Sequence, residues 1–282
     1  MQLYQYMHAS EFLEKTQELY MREEAANNLI LGLSLRLKEL QNNLKTQPFF
    51  AIVQDENSKI HLSSVMTPPY PLIIHGDPQA SDAMGLLVNY LLTNAIKVSG
   101  VNGKEDISTA FAQSWSQQTG QKYLLDMSMR IYELKNVLWP IMPPGSFRLA
   151  EQKDAHLILK YHLAMQHEVE PDKVHKVDMK KITTLIAEQT VFLWEVDKKP
   201  VSMAMSTRPS GHSICISGVY TPHAERKKGY ASACVAHTSH HLLDQGYEFV
   251  VLFTDLANPT SNHIYQEIGF RPVCDFLRYA FL

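Results

Sequence analysis

The run Val219-Tyr220-Thr221-Pro222-His223-Ala224-Glu225-Arg226-Lys227-Lys228-Gly229-Tyr230-Ala231 gathers more groups suited to chemistry than any other stretch of the chain. An apolar segment ends at Thr221, a short polar loop follows, and a helix of small residues starts near Gly229. The first turn of a helix carries unpaired backbone N–H groups and a partial positive charge, which together make an anion site. Gly229 and Ala231 have little or no side chain, so a diphosphate can approach those amides closely. Arg226, Lys227 and Lys228 add positive charge beside them. Each feature also has a plainer reading, because a basic loop is ordinarily a solvated surface and a glycine before a helix is ordinarily a turn. The GK[ST] ending of a nucleotide P-loop and the GxGxxG of a dinucleotide site are both absent.

A second run, Asn258-Pro259-Thr260-Ser261-Asn262-His263-Ile264-Tyr265-Gln266-Glu267-Ile268-Gly269-Phe270, lies about thirty residues further on. Taken alone, Asn258 suits a helix N-cap with Pro259 at the first helical position, and Tyr265 suits an aromatic filling a helix–sheet core. His237, His240 and His241 share a helix face at metal-ligand spacing, but no Glu or Cys stands at a matching position. They read as helix-surface histidines, no metal site is expected, and Cys234 reads as a small buried hydrophobe.

The elements that must position these residues follow from periodicity. The first 47 residues look helical, with Phe12, Leu13, Leu19 and Tyr20, then Leu29, Ile30, Leu33, Leu37 and Leu40 at helical spacing. Strands are expected at Phe49 to Val53, Ile60 to Met66 and Tyr70 to His75, then helices over Ala80 to Ile96 and Ile107 to Gln118, then a strand from Lys122 to Leu134. Pro140, Pro143 and Pro144 mark residues 137–145 as a linker that neither helix nor central strand crosses easily.

Beyond it come a strand at Phe147 to Leu149, helices over Asp154 to Met165 and Val177 to Ala187, and strands at Val191 to Val196, Val201 to Ser206 and Ser213 to Tyr220. A helix from Gly229 to Asp244, a strand at Glu248 to Phe253, a helix from Pro259 to Glu267 and a strand from Arg271 to Phe281 complete the chain. The two halves repeat one order of elements, with Phe50 and Phe192 in equivalent places at an offset of 142 residues. The expected architecture is α/β: two domains, 1–145 with a helical start and 146–282, each a mixed sheet flanked by helices, which the resemblance described below makes mostly antiparallel and twisted.

Composition bounds the function. With 282 residues, 45% apolar and 20% charged, the chain buries a full core and is not disordered. Twenty-six basic against 29 acidic residues supply no excess of positive charge for nucleic acid or anionic membranes. Cys215, Cys234 and Cys274 form no CxxC and read as reduced thiols. There is no basic start with an apolar core at the N-terminus, and no apolar run approaches the ~18 residues a span needs. A soluble cytoplasmic protein is expected.

Together the two runs resemble the signatures of the GNAT superfamily of acyl-CoA-dependent N-acyltransferases. Arg226-Lys227-Lys228-Gly229-Tyr230-Ala231 is similar to the [QR]-x-x-G-x-[GA] pyrophosphate loop of that family, and Asn258 through Tyr265 to Gly269-Phe270 is similar to its second signature. The resemblance covers roughly residues 146–282. It implies that the backbone of Val219, Tyr220 and Thr221 pairs with the pantetheine arm of acetyl-CoA, and that amides from Lys227 through Ser232 hold its pyrophosphate. It implies that Asn258 contacts the pantetheine amides and that Tyr265 protonates the departing thiolate. Many relatives place a glutamate base on a central strand, where this chain has Phe253, Thr254 and Asp255. Asp255, Glu195, His212 and His223 are the candidates, each with an ordinary surface or capping role as its alternative, and no base is assigned.

The N-terminal half departs from the pattern. After Leu72-Ile73-Ile74-His75 it reads Gly76-Asp77-Pro78-Gln79-Ala80-Ser81-Asp82, with no Arg-x-x-Gly loop and two aspartates where phosphates need positive charge. A degenerate copy that binds no CoA is expected. The resemblance implies an acetyl-CoA-dependent N-acetyltransferase that acts on a primary amine by direct attack in a ternary complex. The alternative is a non-catalytic acyl-CoA-binding sensor or interaction module.

Overall fold

The computed structural model describes residues 1–40, 46–171 and 177–282. Chain order runs β1 (Gln2–Tyr6), α1 (Ala9–Met21), α2 (Glu24–Glu39), β2 (Phe49–Gln54), β3 (Ile60–Met66), β4 (Leu72–Gly76), α3 (Ser81–Thr93), β5 (Gly100–Lys104), α4 (Glu105–Thr119) and β6 (Tyr123–Leu134). It continues with β7 (Ser146–Leu149), α5 (Ala155–Val169), α6 (Met179–Ala187), β8 (Val191–Val196), β9 (Lys199–Thr207), β10 (Ser213–Tyr220), α7 (Tyr230–Asp244), β11 (Phe249–Asp255), α8 (Pro259–Ile268) and β12 (Arg271–Phe281).

Two compact units result. The first comprises Met1–Ile131, Thr254–Asn258 and Pro272–Leu282; the second comprises Tyr132–Phe253 and Pro259–Arg271. In unit 1 the strands run β1-β2-β3-β4-β5-β12, with only β4–β5 parallel. In unit 2 they run β11-β10-β9-β8-β7, with only β10–β11 parallel. Each unit is a mixed, mostly antiparallel sheet covered by helices, as expected.

Each unit has two cores, one per sheet face. In unit 1 Phe50, Ile52, Val65 and Ile73 pack against α1 and α2, while Ala51, Val53, Leu62 and Ile74 pack against α3 and α4. In unit 2 Val191, Leu193, Met203 and Met205 pack against α5 and α6, while Phe192, Trp194, Ile214 and Ile216 pack against α7 and α8. Strand side chains alternate faces, so a one-residue shift moves every one of them to the other face. Phe50 and Phe192 therefore lie on opposite faces of their sheets, and the repeat aligns Ala51, not Phe50, with Phe192.

The structure departs from the helical start at β1, which pairs antiparallel with β2 from Gln2–Gln54 to Tyr6–Phe50. Its half-exposed side chains give little periodic signal. Of the expected helical segment, residues 41–45 lie outside the described residues. β5, for which the sequence reading names no residues, is short and glycine-bearing (Gly100-Val101-Asn102-Gly103-Lys104). Whereas the sequence reading divides the chain at 145/146, the compact units interleave: β12 pairs with β5 from Phe276–Lys104 to Ala280–Gly100, so the chain's last strand completes unit 1.

Candidate active site

In unit 2 the parallel strands β10 and β11 pair from Ser213–Phe249 to Ile216–Leu252 and no further. β10 stays with β9 on its other side, but its register shifts between Ser217 and Tyr220, where Gly218 takes φ +61°. The positive φ favours glycine at 218, and a Cβ there would press on the Met205 side chain at 3.0 Å. The bulge carries Val219, Tyr220 and Thr221 away from β11. Ser202 donates to the Tyr220 carbonyl at 3.3 Å, and its hydroxyl meets that of Thr221 at 2.8 Å.

The loop that follows is braced from within. Arg226 Nε donates to the Thr221 carbonyl at 2.8 Å, and its terminal nitrogen reaches both carboxylate oxygens of Glu168, at 2.9 and 2.7 Å. Its guanidinium also lies 5.8 Å from the Tyr220 ring centroid. Glu168, on α5, further faces His223 Nε2 at 3.4 Å. Lys228 pairs with Glu225 at 2.9 Å. Of the three loop cations, Lys227 alone has no ion-pair partner among the described residues, and it sits at φ +61°.

Gly229 then enters α7 as a left-handed N-cap, φ +80°, with no side-chain cap. The first amide to find a helical acceptor is that of Ala233, on the Gly229 carbonyl at 3.0 Å. The amides of Tyr230, Ala231 and Ser232 precede that bond and have no acceptor within the helix. The first turn carries no acidic residue. This is the arrangement a diphosphate fits: unpaired donors, a positive helix end and small side chains.

Tyr265, on α8, is 8% exposed and belongs to the same core as Ile214, Ile216, Val250 and Leu252. Val219 and Tyr230 pack against that core. Burial pushes the phenol up to about 12, against a smaller opposing effect from its hydrogen bond with Ser261. Tyr265 therefore holds its proton throughout the neutral range. Asn258 closes the turn after β11: its amide donates to the Asp255 carbonyl at 3.0 Å, and the chain enters α8 at Pro259.

The candidate bases are not brought together. Glu195 accepts from Arg148 Nε at 2.7 Å, and the same guanidinium holds the buried Asp154 at 2.7 and 3.0 Å. Asp255 accepts the Ala257 amide at 2.8 Å. His212 and His223 are exposed, facing Glu248 and Glu168. His237 and His241 are not simple surface residues: His237 stacks on Phe147 at 5.5 Å and packs against Trp139 and Trp194, and His241 lies against Phe192. Among the described residues no group of three or more His, Cys, Asp or Glu could hold a metal ion.

Two contributors escaped the sequence reading. Glu168 is a long-range partner, 58 residues from Arg226, and nothing local marks it. Tyr132, fully buried, donates to Asn262 Oδ1 and accepts from Gln266 Nε2, both at 3.1 Å, which fixes α8. The i,i+4 spacing of Asn262 and Gln266 was the available signal.

Unit 2 thus ends its parallel strand pair in a glycine-capped helix. Residues 156–270 match the acetyltransferase (GNAT) family, and that part of the chain belongs to it. Whole-chain likenesses are of fold. A GNAT-family acetyltransferase from Colwellia psychrerythraea is 11% identical over 100% of both chains, with TM-score 0.61. A Drosophila protein is 11% identical over 99% of this chain and 98% of its own, TM-score 0.67. A tandem GNAT protein from the clavulanic acid biosynthesis pathway is 12% identical over 99% and 98%, TM-score 0.61. The chain is built as tandem GNAT-like halves. No curated protein matches it in sequence.

Proposed function

We propose that the chain is an acetyl-CoA-dependent N-acetyltransferase that acts on a primary amine, with the reaction carried by residues 219–265. The observation that supports it most is the departure of β10 from β11 after Ile216–Leu252, leading into a helix whose first-turn amides are unpaired. Amides from Lys227 through Ser232 hold the diphosphate of acetyl-CoA, with the side chains of Arg226, Lys227 and Lys228 around it. Arg226 acts mainly by fixing Thr221. The backbone of Val219, Tyr220 and Thr221 receives the pantetheine arm, and Asn258 contacts its amides.

The reaction is direct attack in a ternary complex. A neutral amine forms a C–N bond to the thioester carbonyl, whose oxygen gains charge and needs N–H donors. The C–S bond breaks and the thiolate takes the Tyr265 proton. The amine's proton leaves to water, and Tyr265 regains a proton from water before the next turnover. No side chain of this chain is assigned as base.

Unit 1 is a degenerate copy that binds no CoA. Its loop after β4 is closed by Asp77, which accepts from the Gln79 amide at 2.9 Å, and Asp82 stands in the first turn of α3. Three unpaired cysteines fit a reducing compartment, and a cytoplasmic enzyme is the reading they support. No described helix is long and apolar enough to cross a membrane. The scattered base candidates favour a second reading, a non-catalytic acyl-CoA-binding module.

A panel of primary amines assayed for CoA release separates the two. Transfer is expected with a suitable amine, and Tyr265→Phe should lower kcat about 100-fold while the acetyl-CoA KM changes little. Because the phenol is pushed up to about 12, its ionisation should leave the rate untouched below pH 10. Unchanged turnover in Tyr265→Phe would remove the residue from the acid role. Binding of acetyl-CoA without transfer to any amine would favour the module.

A further inference from the structure

Residues 137–145 form neither helix nor strand, yet the segment is tied down at both ends. At one end the Leu138 amide donates to the Ile268 carbonyl at 2.7 Å; at the other Trp194 Nε1 donates to the Pro144 carbonyl at 3.1 Å. Between these ties it lies along α7. Trp139 packs on His237 and His240, with ring centroids 4.9 and 5.2 Å away, and a Cβ at Gly229 would meet the Pro143 ring at 3.7 Å. The strap therefore runs antiparallel to the helix and ends beside the diphosphate seat. It also lies outside residues 156–270, the part that matches the GNAT family.

Its side chains stand mostly in water. Leu138 is 53% exposed, Trp139 51%, Met142 40% and Ile141 97%. Apolar residues exposed singly are ordinary, but these four fall within five consecutive positions and make a patch of the kind that marks a binding surface. No charged side chain occurs from Asn136 to Phe147, so the surface suits a neutral, apolar group. A protein interface takes about 20 residues on each side, far more than this strap supplies. The seat defines what lies within reach. Ile141 is two residues from Pro143, at most ~7 Å along the chain. A purine base stands one ribose away from the diphosphate it carries, which is a similar span.

We propose that Ile141 and Met142 form a platform for the adenine of acetyl-CoA, with one face of the base on their side chains while the first-turn amides of α7 hold the diphosphate. The platform rests on the reading of those amides as the diphosphate seat; it does not depend on acetyl transfer. Covering the two side chains with the base removes apolar surface from water on both partners. Trp139 acts differently: its contacts with His237 and His240 hold the strap on α7, and it does not touch the base. The two ends of the cofactor are then gripped by different parts of the chain, the pantetheine arm by the parting strands and the base by a segment that precedes the family match.

Titration calorimetry on the full chain tests it with acetyl-CoA and with S-acetyl-4′-phosphopantetheine, which keeps the thioester arm and lacks the adenosine. Ile141→Ser combined with Met142→Ser should weaken acetyl-CoA about tenfold and the shorter thioester by less than about twofold. Both side chains are exposed, so the variant should fold as the wild type does. In the wild-type complex, NMR of a carbon-13-labelled Ile141 methyl should show its contact with the adenine H2 or H8 proton. Where the shorter thioester binds too weakly to titrate, that contact decides. Equal weakening of both thioesters, unchanged acetyl-CoA binding in the variant, or no methyl contact overturns the proposal. So does a change of oligomeric state with no change in acetyl-CoA affinity, which would make the strap a contact between copies of the chain. No acetyl-CoA binding to the wild type would overturn the seat itself, and the platform with it.

Discussion

The two units share a mixed sheet with one parallel pair and differ in how they enter the helix after the parting strand. In unit 2 that entry is Gly229, Tyr230 and Ala231: a left-handed glycine, then first-turn amides with no acid beside them. In unit 1 it is Ala80, Ser81 and Asp82, where Asp77 takes up a loop amide with its side chain and the Ala80 amide with its carbonyl. Ala231 and Asp82 are both the second residue of their helix. A carboxylate there favours the helix as much as a phosphate would. The entry in unit 2 thus has a left-handed glycine and no acid in the first turn, while the entry in unit 1 has neither the glycine nor an acid-free first turn.

That contrast can be broken by exchanging the residues. Ala231→Asp gives α7 the acid that α3 already has and should weaken acetyl-CoA about 100-fold by calorimetry, since like charges near 4 Å repel by several kcal/mol even at intermediate dielectric. The fold should survive, because an acid in a first turn is favourable. This exchange is cleaner than a substitution at Gly229, where φ +80° strains any other residue. Glu168→Gln should have a smaller effect. It removes the carboxylate that receives Arg226 and His223, and the acetyl-CoA KM should rise about threefold to tenfold with kcat nearly unchanged. The reverse exchange, Asp82→Ala, should leave acetyl-CoA binding within about twofold and cost α3 about 0.3–1 kcal/mol in thermal unfolding.

The elements with strong periodicity or clear turn chemistry were legible in the sequence. β8, β9, β10, α7 and α8 fall within a residue or two of their expected places, because apolar runs, Asp197-Lys198-Lys199-Pro200 and Asn258-Pro259 punctuate them. The loop from Arg226 to Gly229 was legible because small and basic residues before a helix have few purposes. Long-range choices were not. Nothing local distinguishes Glu168 from its exposed neighbours, since its role depends on α5 lying beside the end of β10. The last strand is apolar in the expected way, yet it pairs with β5, 172 to 180 residues earlier, from Phe276–Lys104 to Ala280–Gly100. Offsets between the halves were readable only to within one residue, which is enough to exchange the faces of a sheet.

Hydrogen exchange measured with and without acetyl-CoA tests the central claim on the amides themselves. Protection should appear in peptides covering Thr221 to Val235, strongest at Lys227 through Ser232, and peptides covering Gly76 to Val88 should exchange unchanged. Equal protection in both segments, or protection confined to the second, would contradict the account.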